Sequence, residues 1–275
     1  MIGLVTDSNS QIPPELAARY GVEVVPLTVT VDGVDYLEGV DMDADQFYAR
    51  FDDRTPAVST SQPSPGRFSS AYRAMADRGV DEILSIHIGS SISGTVNSAR
   101  LASEASPVPV RIVDTGTASF AITCCLWEAA EALARGATLE EAAGEAERVS
   151  ALAGNVFVVR ALDIARSGGR LAEGASAEGV PVLSLAGGAM QTLADVTSFD
   201  EAAETMAGVV RASGTGLRVG IGVADAAAAA LGQSVEDRLS NVAEVRELVR
   251  YRCGPSVGAH TGPGTVGAMY YPSRA

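Results

Sequence analysis

The opening of the chain does most to constrain its fold. Ile2 to Val5 is a short apolar run that ends in Thr6-Asp7-Ser8-Asn9-Ser10, the pattern of a buried strand running into a polar turn. Pro13-Pro14-Glu15 then opens a helix through Tyr20, and Val22 to Leu27 forms a second strand. Strand, turn, helix, strand is the alternation of a parallel sheet with helices on its faces. Ligands of such sheets sit beyond the carboxyl ends of the strands. Asp7 and Ser8 therefore stand at the ligand-bearing edge, or Asp7 caps the helix.

The alternation continues. Pro65 starts a helix through Asp77, Asp81 to Ile88 is a strand, and a helix runs from Val96 to Glu104. Val110 to Asp114 is a further strand, followed by helices from Phe120 to Arg135 and from a Thr138-Leu139-Glu140-Glu141 cap to Ala153. Beyond this point the character changes. Val156 to Val159 is a strand, and a short helix from Leu162 breaks at Gly168-Gly169-Arg170. Val182 to Leu185 and the stretch from Leu193 to Val196 read as antiparallel strands about a Gly187-Gly188 turn. Ser198 caps a helix to Ser213, Leu217 to Val223 is a strand, and Ala224 to Leu231 is a helix. Strands at Val245 to Tyr251 and Val266 to Tyr271 close the chain. The expected architecture is two-domain α/β, with a parallel-sheet α/β/α domain over residues 1–153 and an α+β domain over 154–275.

Composition removes several classes of function. Hydrophobic residues make up 47% of the 275 but aromatics only 5%, so the core is built from Ala, Val, Leu and Ile. No apolar run approaches the roughly 18 residues of a membrane span. The N-terminus has no basic stretch of the secretory type, and the expected location is cytoplasmic. Net charge is −14, and all 20 basic residues are arginine. Such a chain lacks the electrostatic footprint of a nucleic-acid or anionic-membrane binder. Cys124, Cys125 and Cys253 have neither metal nor disulfide spacing, and no metal site is expected. Asp32, Asp35, Glu38, Asp41, Asp43 and Asp45 lack the glycine and terminal glutamate of a calcium loop, and a solvated acidic face is expected there.

Three polar segments stand out against this aliphatic background. Ser59-Thr60-Ser61-Gln62-Pro63-Ser64-Pro65 is an extended, rigid run of hydroxyls, read as a linker or as a loop aiming a hydroxyl at a ligand. Gly89 to Thr95, with Ser93-Gly94-Thr95 at the start of a helix, is either a simple cap or an anion site built on exposed N–H groups. Neither Gly-x-Gly-x-x-Gly nor a P-loop lysine is present, which sets the usual nucleotide motifs aside. Gly254 to Gly267 holds five glycines, two prolines and His260, one of only two histidines. It is either a tight turn before the last strand or a means of bringing backbone N–H groups and an imidazole against something small.

Thr6-Asp7-Ser8, Thr60-Ser61-Gln62-Pro63-Ser64-Pro65, Ser93-Gly94-Thr95, Gly168-Gly169-Arg170 and Gly258-Ala259-His260-Thr261-Gly262-Pro263-Gly264 occur in this order along essentially the whole chain. In that combination the chain resembles the DegV family of fatty-acid-binding proteins. The better-understood members are the acyl-carrier subunits of bacterial fatty acid kinase. The resemblance implies a long-chain fatty acid buried between two domains, with no other cofactor. Its carboxylate would be held by Thr60, Ser93 and His260 with Arg170 as counter-charge, and Ser61, Gly94, Thr95, Thr261 and Gly262 would form the supporting loops. These groups suit the task, because a buried carboxylate is costly unless it is paired and hydrogen-bonded, and hydroxyls, imidazole and guanidinium supply the donors. An aliphatic tunnel would gain about 0.8 kcal/mol per buried methylene before ordering costs.

The function so implied is that of a carrier presenting the carboxylate to a separate ATP-dependent kinase, which forms an acyl phosphate for phospholipid synthesis. A sensor of the same ligand differs only in its downstream partner. The competing reading is an acyl hydrolase or transferase using Ser93 and His260, although no Gly-x-Ser-x-Gly elbow surrounds Ser93.

Overall fold

The computed structural model of the chain describes residues 1–167 and 179–274. In chain order it opens with β1 (Ile2–Asp7), a 3-10 turn at Ser8–Ser10, α1 (Pro14–Tyr20) and β2 (Glu23–Val25). Next come β3 (Thr28–Val31), β4 (Val34–Leu37), α2 (Ala44–Tyr48) and β5 (Val58–Ser61). The following stretch holds α3 (Pro65–Asp77), β6 (Glu82–His87), α4 (Thr95–Ser103), β7 (Val110–Asp114), α5 (Phe120–Ala134) and α6 (Leu139–Leu152). The remainder holds β8 (Gly154–Val158), α7 (Leu162–Ser167), β9 (Val180–Ala186), β10 (Ala189–Val196), α8 (Phe199–Arg211), β11 (Leu217–Val223), α9 (Ala229–Leu239), β12 (Val245–Arg252), α10 (Pro255–Thr261) and β13 (Val266–Pro272).

The chain groups into two compact units: residues 1–28 with 60–151, and 29–59 with 152–275. This differs from a single division after residue 153, because 29–59 belong with the later part of the chain. Their apolar residues find partners there. Phe47 and Tyr48 of α2 lie against Gly258 of α10, and Arg252 at the end of β12 pairs with Asp45 at 2.5 Å.

The first unit is a four-stranded sheet of order β2-β1-β6-β7, parallel throughout, as the opening alternation predicts. Alternate residues of a strand face opposite ways. Val5 and Ile83 therefore pack with Phe68, Tyr72 and Met75 of α3 and Ala99 of α4, while α5 contacts β1 and β6. α5 is buried nearly all round, including Cys124 and Cys125, which are core residues as their apolar setting suggests.

The second unit contains a six-stranded mixed sheet of order β10-β9-β8-β13-β11-β12 and the three-stranded order β4-β3-β5. β9 and β10 are antiparallel, and Gly187 and Gly188 between them have φ of +57° and +81°. α8 starts at the expected cap, with Ser198 Oγ accepting the Glu201 N–H at 3.1 Å. Ala202, Ala203, Met206 and Val210 of α8 pack with Val235 and Leu239 of α9 over Val156, Val219 and Ala268 of the sheet. Small side chains let these helices seat closely, which is how a core of few aromatics fills its space. The helix expected to stop at Leu231 continues to Leu239, because Val235 and Leu239 complete its buried stripe.

Glu38 departs from the expected solvated acidic face, being only 6% exposed. Of the other acidic groups of that stretch, Asp45 takes the distant Arg252, whereas others find local partners: Asp32 takes Arg54 and the Ala57 N–H, Asp35 accepts from Thr30, and Asp43 forms a capping box with Gln46. Among the described residues no cluster of His, Cys, Asp or Glu has the geometry to hold a metal ion, and no helix is long and apolar enough to cross a membrane.

Candidate functional site

In the first unit the structure brings two of the singled-out segments together. Beyond the end of β6, the Ile92 and Ser93 N–H groups donate to Gly89 O at 2.9 and 3.0 Å, folding the loop into a tight turn. Ser93 Oγ accepts the Thr95 N–H at 3.3 Å and shares a hydrogen bond with Thr95 Oγ1 at 2.8 Å. Ser93 thus serves the first turn of α4 while remaining half-buried, a role that leaves a hydroxyl and the N–H groups of a helix start side by side. The hydroxyl segment runs alongside. Thr60 is half-buried at the end of β5, Ser61 and Gln62 are exposed, and Ser64 caps α3 by accepting the Arg67 N–H at 3.4 Å. Gln62 brings the two segments into contact: a Cβ on Gly94 would stand 2.7 Å from Gln62 Nε2, so any larger residue there displaces the exposed Gln62 side chain.

In the second unit the glycine-rich stretch is a helix followed by a turn. Pro255 occupies the first turn of α10, and His260, half-buried, lies in the last. The helix is held at both ends. At its start, Glu38 Oε1 accepts the Ser256 N–H at 2.9 Å. At its end, Gly262 has φ +71°, and a Cβ there would come within 2.5 Å of Ala161 Cβ, so glycine lets the turn sit on the residues leading into α7. Thr265 Oγ1 then donates to Thr261 O and Gly262 O, and both Asp225 carboxylate oxygens take the Gly264 N–H. α7 ends at Ser167; Gly168, Gly169 and Arg170 lie outside the described residues. Thr60, Ser93 and Thr95 therefore belong to the first unit and His260, Thr261 and Gly262 to the second.

The groups beneath α10 are tuned by burial. Burial pushes the Tyr48 phenol well above its usual range, with the charges of Cys253, Asp225 and Glu38 acting in the same direction. Burial likewise raises the Cys253 thiol to about 12, so it is an inert thiol.

Sequence reasoning missed one constellation. His87 Nδ1 lies 3.0 Å from Asp7 Oδ2, and its Nε2 lies 2.6 Å from Ser85 Oγ, which in turn is 2.9 Å from the Tyr72 hydroxyl. The order of groups is that of a Ser-His-Asp hydrolase, but all four residues are fully buried and no substrate reaches Ser85. The signal was available: Asp7 and His87 end neighbouring parallel strands, and Ser85 lies two residues earlier on the same face.

Comparison with known proteins agrees with this architecture. The family model described as "Uncharacterised protein, DegV family" matches residues 1–273. A DegV domain-containing protein of Streptomyces coelicolor is 34% identical over 274 residues, covering 98% of this chain and 97% of its own. Among solved structures, the DegV family protein from Thermus thermophilus, described for its fatty acid binding, superposes with a TM-score of 0.88 at 34% identity over 99% of each chain. A DegV lipid binding protein from Thermotoga maritima gives 0.88 at 29% identity over 98% of each. The two-unit α/β architecture and this full-length match together establish that the chain belongs to the DegV family.

Proposed function

We propose that this protein binds a long-chain fatty acid and acts as a non-catalytic carrier, presenting the carboxylate to a separate ATP-dependent kinase that forms the acyl phosphate. The observation that carries the reading is the Ser93 turn, where a half-buried hydroxyl, the start of α4 and the Thr60 segment stand together. Fatty-acid binding by the Thermus thermophilus relative supplies the ligand class. Thr60, Ser93, His260 and Arg170 are assigned to the carboxylate, and Ser61, Gly94, Thr95, Thr261 and Gly262 to the loops that hold them.

A hydrolase built on Ser93 is disfavoured, because its hydroxyl is engaged with Thr95. The location proposed is the cytoplasm, where the kinase and ATP would be met. Binding of a fluorescent long-chain fatty acid to Ser93→Ala and His260→Ala tests the site: each variant is expected to bind about tenfold more weakly with an unchanged fold, the cost of one charge-assisted hydrogen bond. Unchanged affinity in both removes the assignment.

A further inference from the structure

We propose that His87 is a positioning residue for the Ser93 loop, setting where that loop leaves the sheet through its hydrogen bond to Asp7. The proposal rests on the fatty-acid reading for its function and on the geometry of the first unit for its mechanism.

The buried chain of polar groups has one consistent direction. Asp7 is the terminal acceptor: Oδ1 takes the Asn9 N–H at 3.1 Å, and Oδ2 takes the Ile88 N–H at 3.0 Å and the His87 Nδ1–H at 3.0 Å. With Nδ1 donating, Nε2 accepts from the Ser85 hydroxyl, and Ser85 Oγ accepts from Tyr72. Burial pushes the Tyr72 phenol up to about 12, so it stays a donor across the physiological range. Tyr72, Ser85 and His87 thus each donate one bond along the row, ending on a carboxylate that also holds the backbone.

The backbone so held is the root of the loop. Ile88 is its first residue, and the peptide before it is clamped from the other side, since His87 O accepts both the Thr115 N–H at 3.2 Å and Thr115 Oγ1–H at 2.7 Å. Phe68 closes over the ring edge-on at 5.0 Å between centroids. Replacing buried, paired polar side chains by apolar ones of the same volume is often neutral or stabilising, so stability alone does not account for these four side chains. What they add here is direction: a single arrangement of Asp7, and hence of Ile88 and the turn that ends at Ser93.

The test separates the two ends of the imidazole. Asparagine places its amide nitrogen near the position of Nδ1, and glutamine reaches the position of Nε2. His87→Asn keeps the donor to Asp7, whereas His87→Gln keeps only the link to Ser85. With palmitate as probe and melting temperatures recorded in parallel, H87N is expected to bind within about threefold of wild type. H87Q loses one buried hydrogen bond, as H87N does, so the two are expected to melt at similar temperatures, while H87Q binds about tenfold more weakly. Equal affinities in the two variants overturn the proposal, as does a loss that simply follows melting temperature. If the wild type binds neither palmitate nor any of a panel of saturated and unsaturated fatty acids, the fatty-acid reading falls and amide exchange over residues 88–95 decides the positioning role: faster exchange in H87Q than in H87N supports it, and equal exchange overturns it.

Discussion

The side-chain amide of Gln62 rests against the Cα of Gly94, so closely that a methyl group there would stand 2.7 Å from Nε2 and 3.0 Å from Cδ. This contact ties the hydroxyl segment to the turn bearing Ser93, although 31 residues and a helix separate Ser93 from Gln62. Gly94→Ala is expected to displace Gln62 while sparing the fold, since Gln62 is exposed and can swing away. Fatty-acid affinity should fall several-fold with melting temperature nearly unchanged, and Gln62→Ala in the same chain should restore part of it. A titration of the three proteins decides this; undiminished binding by G94A would show that the contact has no bearing on the ligand.

Glu38 stabilises α10 from a distance of over 200 residues in sequence. It accepts the Ser256 N–H while only 6% exposed, so its removal orphans a buried donor. Glu38→Ala is expected to cost about 1–3 kcal/mol in chemical denaturation. A cost below about 0.5 kcal/mol would mean that water replaces the carboxylate, and the account of how α10 is anchored would be wrong.

Tyr48 gives the opposite expectation. Its hydroxyl is buried and makes no hydrogen bond among the described residues, although the ring packs edge-on against Phe47 at 5.1 Å. Burying an unsatisfied hydroxyl costs free energy, so Tyr48→Phe should leave stability unchanged or raise it by about 1 kcal/mol. A clear loss on denaturation would reveal a partner for the phenol.

Much of this architecture was legible in the sequence because local rules and tertiary structure agree there. The parallel opening, the Ser198 cap and the Gly187-Gly188 hairpin each follow from residues near one another in the chain. The rest depends on partners far apart in the chain. Nothing local says that residues 29–59 belong with the later part of the chain, since Phe47 and Glu38 find their partners at Gly258 and Ser256. The Asp7–His87 pair spans 80 residues, and only the register that sets Thr6 beside Ile86 brings the two strand ends together. The loops that carry Thr60, Ser93 and His260 were visible as runs of hydroxyls and glycines, but their hydrogen bonds to Thr95, Gln62 contacts and Glu38 anchor were not.

The most direct test of the carrier account is extraction of the purified, denatured protein with organic solvent, followed by mass spectrometry of what is released. The account predicts a long-chain fatty acid in close to one-to-one proportion with protein, and its mass gives the preferred tail. A protein that releases none, and takes up none after incubation with a panel of saturated and unsaturated fatty acids, would contradict the account and leave Thr60, Ser93 and His260 to another small anion.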